Sequence, residues 1–118
     1  MRTTSWDTEN TKMKEEDIIQ SWKKAFYRGW KRQSKQKRLE SLDLLIYSIC
    51  LIKHSKLPII KWGKSYEFSI AKKIIYQNKE KPMILGALHE TAHFLFGKSE
   101  LKACKWSAYL YNKCFKKH

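Results

Sequence analysis

The chain has 118 residues, 42% of them hydrophobic and 14% aromatic, which suffices for one globular domain with a modest core. Only four Gly and two Pro argue against a disordered or fibrous protein. The formal net charge of +14 favours an anionic partner, namely nucleic acid, an anionic membrane surface or an acidic protein, although a lysine-rich composition can also reflect codon bias and solubility.

The cysteines and the N-terminus predict a cytoplasmic protein. Cys50, Cys104 and Cys114 are an odd number, which leaves one thiol unpaired in any disulfide framework. The N-terminal residues are polar and lack the apolar core of a signal peptide. The longest apolar stretch, residues 42–52, is too short to span a bilayer. We therefore expect no transmembrane segment and a location in the cytoplasm, or in the host cytoplasm if the chain is phage-encoded.

The N-terminal half is expected to be helical after a flexible polar tail at residues 1–13. From Lys14 to about Gln33, apolar residues recur every four positions, as in one stripe of an amphipathic helix: Ile18, Trp22, Phe26 and Trp30. A second helix is predicted from Gln36 to Ser55, with these residues facing inward: Leu39, Leu42, Leu45, Ile46 and Ile49. Lys56, Leu57 and Pro58 end it.

The next segment favours strands. Ile59–Trp62 and Tyr66–Tyr76 are β-favouring runs separated by Gly63, and the longer run could break near residues 71–73. In that run, apolar residues alternate at Tyr66, Phe68 and Ile70, the period of a half-buried strand. The run is also a candidate edge strand, with the alternative that it only covers the helices.

Two helices are predicted at the C-terminal end. Pro82 suits the first position of a helix carrying residues 83–96, and Gly97 suits its C-terminal cap. Ser99 can cap a last helix from Glu100 to about Lys116. We expect its apolar stripe to be Leu101, Cys104, Ala108, Tyr111 and Phe115. Together the elements predict an α+β fold, a helical domain whose small antiparallel or mixed sheet packs on helix 83–96.

That helix contains the motif His-Glu-Thr-Ala-His at residues 89–93. Residues four apart project from the same helical face, so His89 and His93 can bind one metal ion. Glu90 points away from the ion but can reach a water bound to it, whose pKa zinc lowers to about 7. The pattern predicts a zinc hydrolase with Glu90 as the general base. The alternative is a solvent-facing helix with incidental histidines.

A catalytic zinc needs a third protein ligand and an open position. Glu100 is the leading candidate because it follows the Gly97 turn and can fold back over the metal. Its alternative role is to complement the positive end of its helix dipole. Cys104 is the second candidate ligand, although a small thiol buried on the apolar stripe is the simpler expectation. His54 and His118 have no partner at a ligand spacing.

The stretch ILGALHETAHFLFG, followed by ELKACKWSAYLY, resembles the ImmA/IrrE family of zinc peptidases over residues 66–111. The resemblance implies a single zincin-like metallopeptidase domain over residues 14–118. It also implies zinc ligands at His89, His93 and Glu100, with Glu90 as the general base. Members of that family are associated with phages and mobile elements and cleave helix-turn-helix repressors, so the implied partner is an intracellular DNA-binding protein.

A basic segment near the N-terminus supports a rival interpretation. Its candidate contacts to nucleic acid or another anionic partner are Lys23, Lys24, Arg28, Lys31, Arg32 and Lys35. Aromatic residues lie between these cations, a composition that can bind phosphate backbones without sequence preference. The same face could simply be solvated while its aromatics fill the core. A non-catalytic binding protein for nucleic acid or a partner protein, with zinc structural or absent, therefore remains the alternative function.

Overall fold

The computed structural model describes the backbone of residues 29–115 and the side chains of residues 29–113. The predicted tail at residues 1–13 and nearly all of the predicted helix from Lys14 to Gln33 lie outside this range, as do Lys23, Lys24 and Arg28. Within residues 29–115, none of the helices combines the length and hydrophobicity needed to cross a bilayer.

The first long helix, α1, spans Lys35–Ile52 and follows a single 3₁₀ turn at Trp30–Arg32. Ser34 caps it by accepting a hydrogen bond from the backbone N–H of Lys37. The five residues predicted to face inward are all buried, and Cys50 joins them. The helix ends before the predicted Ser55 because His54 adopts a positive φ of 57°. The N–H groups of His54 and Ser55 then close a Schellman cap on the last turn.

Three strands form a mixed sheet: β1 at Ile59–Gly63, β2 at Glu67–Ser69 and β3 at Ile74–Asn78. The order is β1-β3-β2, with β1 parallel and β2 antiparallel to the central β3. The second predicted run therefore breaks into two strands, as the sequence allowed. A turn at residues 70–73 separates them, with Lys73 at a positive φ of 58° and its N–H donating to the carbonyl of Ser69.

Helix α2 spans Ile84–Phe96, and helix α3 spans Glu100–Leu110. The prediction that Pro82 occupies the first helical position is wrong, because extended Met83 is the N-cap and Pro82 precedes it. Gly97 ends α2 as predicted, with a φ of 98° that other residues rarely adopt. Ser99 caps α3 as predicted, its side chain accepting from the N–H of Lys102.

The predicted apolar stripe of α3 is wrong at three positions, whereas Tyr111 packs against the core as predicted. Leu101, Cys104 and Ala108 are exposed, and the buried residues are Ala103, Ser107 and Leu110. Small residues let this helix pack closely on α2, and the Ser107 hydroxyl is satisfied by donating 2.7 Å to the carbonyl of Ala103. The α-helix also ends earlier than the predicted Lys116, continuing as a π-helical turn at Tyr111–Phe115.

The three helices and the small mixed sheet confirm the α+β prediction, and they share one hydrophobic core. Helix α1 contributes most of it, together with β3 and the inner face of α2; the fully buried members include Leu42, Leu45, Ile46, Ile49, Ile75, Ala87, Leu88 and Leu110. Burying each large aliphatic side chain contributes about 1.5–3 kcal/mol. This core fixes α2 against the sheet and so determines where its motif faces.

A buried polar network crosses the same layers. The Gln77 side chain, on β3, has no solvent exposure and donates 2.7 Å to Asp43 on α1. Its carbonyl oxygen accepts from the Tyr66 hydroxyl at 3.1 Å, and that hydroxyl accepts from the N–H of Met83 at 2.8 Å. Trp62 on β1 donates to the Asp43 carboxylate. The network thus joins α1, the sheet and the start of α2.

Candidate metal centre

Helix α2 presents both histidines of the motif on one side. The His89 and His93 rings lie 4.9 Å apart and nearly perpendicular, as their four-residue spacing predicts. Their side chains are only 20% and 15% exposed, because the neighbouring elements close around them. Glu90 lies deeper, with 8% of the residue exposed.

The Glu100 carboxylate bridges the two imidazoles. Its oxygens lie 3.1 Å from Nε2 of His89 and 2.8 Å from Nε2 of His93. The turn through Gly97 and the Ser99 cap bring the start of α3 back over α2, so residues distant along the chain meet here. Because a carboxylate and an unprotonated imidazole nitrogen both only accept, contacts this short require a proton or a metal cation between them.

A backbone carbonyl orients His93. The Nδ1–H group of this ring donates 2.9 Å to the carbonyl of Gly97, which can only accept. The tautomer assigned by this contact directs Nε2 toward Glu100. Metal-bound histidines usually have such a partner on the second ring nitrogen. The arrangement therefore fits a ring prepared for metal binding.

Cys104 belongs to the same cluster. Its sulfur lies 3.9 Å from Nδ1 of His89 and 3.7 Å from an oxygen of Glu100. The donor atoms of His89, Glu100 and Cys104 all lie within 4.8 Å of one another, so this group could hold a metal ion. Ligand atoms on one tetrahedral zinc are about 3.3–3.6 Å apart. The expectation of a buried thiol on an apolar stripe is wrong, because Cys104 is exposed and faces the histidines.

The charges of the site depend on one another. Burial raises the pKa of Glu90, while the two histidines oppose this effect and Glu100 adds to it. The hydrogen bond from His93 is the main cause that holds the pKa of Glu100 below its usual value. Burial lowers the pKa of His93, but the hydrogen bonds to Gly97 and Glu100 outweigh it and raise the pKa overall. The pKa shifts of His93 and Glu100 thus reflect the hydrogen bond between them, whereas that of Glu90 reflects its burial.

Partial desolvation by its neighbours, followed by the nearby Glu100 carboxylate, raises the pKa of the exposed Cys104 thiol. In the absence of a cation, the thiol is therefore protonated at neutral pH. Ligation by a metal requires the thiolate instead. A cation in this cluster would consequently displace the thiol proton if Cys104 bound it.

The cluster lies in an open cleft of about 410 Å³. The edge strand β2 forms one wall, and the turn after α2 forms part of the other. The lining residues are Tyr66, Glu67, Phe68, Ile70, His89, Glu90, His93, Lys98 and Glu100. Sequence reasoning had not assigned Glu67 or Lys98 to the site. For Lys98, the sequence did contain a signal, since this residue directly follows Gly97, which was predicted to end the motif helix.

The remaining candidate residues lie elsewhere. Lys31, Arg32 and Lys35 are exposed, and Lys35 forms an ion pair with Glu80 at 3.3 Å. His54 is exposed in the cap after α1 and does not line the cleft. His118 lies outside the described residues. Of the six cations predicted for an anionic partner, the structure thus describes three, and all three are accessible.

No protein-family model, curated protein or solved structure matches this chain. The resemblance to zinc peptidases therefore stays a prediction from the motif residues of the sequence.

Proposed function

We propose that the protein is a zinc-dependent endopeptidase acting on an intracellular regulatory or DNA-associated protein. The convergence of two imidazole Nε2 atoms on the carboxylate of Glu100 carries this proposal. Three groups that only accept hydrogen bonds repel one another at these distances unless a proton or a metal cation lies between them. Nitrogen and oxygen ligands from His89, His93 and Glu100 are the donor set that zinc commonly takes in hydrolases.

Each residue would have one role in that reaction. His89, His93 and Glu100 would hold the ion, and the Gly97 carbonyl would keep the His93 ring in orientation. When bound, zinc acts as a Lewis acid that polarises a carbonyl group and lowers the pKa of a water molecule. Glu90, buried next to the histidines, would accept the proton from the attacking water and pass it to the leaving amine. Burial raises the pKa of Glu90, which is the direction that a carboxyl acting as an acid–base group requires.

The cleft suggests how a polypeptide substrate would bind. Within residues 29–115, β2 pairs with β3 alone, and Glu67 and Phe68 of this strand line the cleft. An extended peptide could add to the free edge through backbone hydrogen bonds, with its side chains contacting Phe68 and Ile70. Since the family that the chain resembles cleaves helix-turn-helix repressors, a DNA-binding repressor is the substrate class that we propose.

The decisive variant is Glu90→Gln. We expect it to retain about one zinc per chain, because the three ligands remain, and to lose cleavage by about 10²–10⁴-fold, because the amide accepts no proton. Metal content would be measured by elemental analysis of protein purified without chelators. Cleavage would be measured by mass spectrometry of new N-termini after incubation with a cell lysate.

The control is Glu80→Gln, an exposed carboxylate outside the cleft, which should cleave as the wild type does. New N-termini produced equally by wild type and Glu90→Gln would exclude Glu90 as the base. Zinc binding without any cleavage by the wild type would instead support a structural metal in a binding protein.

A second candidate function is binding of nucleic acid through the basic N-terminal segment. The net charge of +14 and the exposure of Lys31 and Arg32 favour it. Phosphate contacts release counterions, so binding to duplex DNA should weaken steeply as salt rises. Fluorescence anisotropy of wild type and of a Lys31→Ala, Arg32→Ala variant would test this function. Equal, salt-independent binding by both would exclude it.

A further inference from the structure

The cluster holds more donors than a catalytic zinc uses. Catalytic sites combine three protein ligands with one open position, whereas four protein ligands close the coordination sphere. The proposed zinc site takes three of them, from His89, His93 and Glu100. The Cys104 sulfur lies 3.9 Å from Nδ1 of His89 and 3.7 Å from an oxygen of Glu100, and these three residues offer donor atoms within 4.8 Å of one another. The fourth position is thus within reach of a thiol from the same chain.

We propose that Cys104 is a displaceable fourth ligand that closes the metal site at rest, so that the site is regulated through a thiol. This inference rests on the proposed metal function and adds its regulation. The 3.7 Å between the Cys104 sulfur and the Glu100 oxygen is close to the distance of about 3.5 Å expected for sulfur and oxygen ligands on one tetrahedral zinc. A thiolate is also among the best zinc ligands that a protein offers.

Cys104 has fewer contacts and is more exposed than the two histidines, so it is the proposed ligand that would dissociate from the metal. The Gly97 carbonyl locks the His93 ring, and both histidines are largely enclosed. Cys104, in contrast, is exposed, and the hydrogen-bond contacts described for its sulfur are to His89 and Glu100 alone. Rotation about one side-chain bond would carry the sulfur out to solvent without disturbing α3.

Thiol chemistry would therefore open the site. Alkylation with iodoacetamide forms a sulfur–carbon bond at the Cys104 thiolate and releases iodide. The resulting thioether is a poor zinc ligand, so the fourth position would become free. The replacement Cys104→Ala should reproduce the alkylated state genetically, and the exposed position should tolerate alanine.

Cobalt(II) reports directly on sulfur ligation. Full-length protein loaded with one Co²⁺ per chain should show the intense near-ultraviolet sulfur-to-cobalt charge-transfer absorption. Cys104→Ala should keep one Co²⁺ and lose this absorption. Cys50 and Cys114 remain in that variant, so absorption due to either of them would persist, and its persistence would overturn the proposal.

Acetohydroxamate, a small bidentate zinc ligand, tests whether the position opens. Calorimetric titration of the zinc-loaded proteins should show binding about tenfold tighter to Cys104→Ala than to wild type, because no thiolate has to be displaced. Alkylated wild type should match the variant. Equal affinities of wild type and Cys104→Ala for acetohydroxamate would overturn this inference. So would wild type that binds one Co²⁺ without the sulfur absorption. Neither result would contradict the proposed zinc site itself. Failure of wild type and variant to bind either metal would overturn the zinc site as well.

Discussion

At the scale of single residues, Gly97 links the end of a helix to the orientation of a ligand. Its φ of 98° and ψ of −157° lie in a region that is essentially reserved for glycine. This conformation ends α2 and leaves the Gly97 carbonyl facing Nδ1 of His93. Helix termination and histidine orientation therefore depend on the same backbone unit.

Glu100 is the residue whose removal should matter most for the metal. We expect Glu100→Ala to weaken zinc binding by more than about a hundredfold, since even an outer partner of a ligand is worth about 10–100-fold. Competition with a chromophoric chelator would measure the affinity. Because Glu100 is 70% exposed on the side chain, the fold should be unaffected, which circular dichroism would check.

Glu67→Ala is the matched control for this experiment, because it also removes an exposed carboxylate from the cleft wall. Its zinc affinity should stay at the wild-type value. If Glu100→Ala behaved like Glu67→Ala, Glu100 would not be a ligand, and Cys104 would become the third.

At the scale of elements, the contact between α2 and the segment before β2 has no room for a side chain at Gly86. A Cβ atom placed there would lie 2.7–2.9 Å from three ring atoms of Tyr66. The ring cannot retreat easily, because its hydroxyl is held by Gln77 and by the N–H of Met83. Burial also raises the pKa of this phenol to about 12, so it remains protonated and able to donate.

Gly86→Ala should therefore destabilise the protein. Overpacking costs about 1–3 kcal/mol, and the higher helix propensity of alanine returns up to about 1 kcal/mol. We expect a net loss of about 1–2 kcal/mol in the free energy of unfolding, measured by urea denaturation.

Gly63→Ala is the control, since a Cβ atom there meets Tyr76 at an ordinary 3.6 Å. Its stability should match the wild type within about 0.5 kcal/mol. A neutral Gly86→Ala would show that the Tyr66 ring can move, and that α2 is less tightly held than the hydrogen bonds indicate.

At the scale of the whole molecule, Asp43 connects all the layers through Gln77 and Trp62. Burial raises the pKa of Asp43, and the hydrogen bonds from Gln77 and Trp62 only partly oppose this. The folded protein thus binds a proton more tightly at Asp43 than the unfolded chain does, whose aspartates have a pKa of about 3.9. Ionisation of Asp43 therefore lowers the free energy of unfolding as pH rises.

The raised pKa of Asp43 predicts how the stability of the protein depends on pH. The contribution of Asp43 is fully favourable below about pH 4 and is lost as pH rises through the raised folded-state pKa. Asp43→Asn should lack this loss, so the stability of wild type relative to the variant should fall as pH rises above about 4. Urea denaturation at a series of pH values would measure it. A wild-type stability that rises relative to the variant over this range would contradict the assigned shift.

Several features followed from the sequence because they depend on backbone geometry over a few residues. The four-residue spacing of His89 and His93 places both rings on one face of any α-helix. Gly97 and Ser99 end and begin helices through their own conformations and side-chain hydrogen bonds. The regular apolar spacing of α1 likewise predicted its buried face, since a single long helix can satisfy that pattern in only one orientation.

Other features were decided only by the tertiary structure, because they depend on which surfaces compete for burial. The apolar residues Leu101 and Ala108 stay exposed because small Ala103 and Ser107 allow a closer approach to α2. That orientation of α3 brings Cys104 next to His89, as its role of second candidate ligand requires, and not into a buried apolar stripe. The strand order that places β2 at the cleft, and the inclusion of Lys98 in its wall, arise in the same way. Local sequence patterns carry no information about such long-range packing.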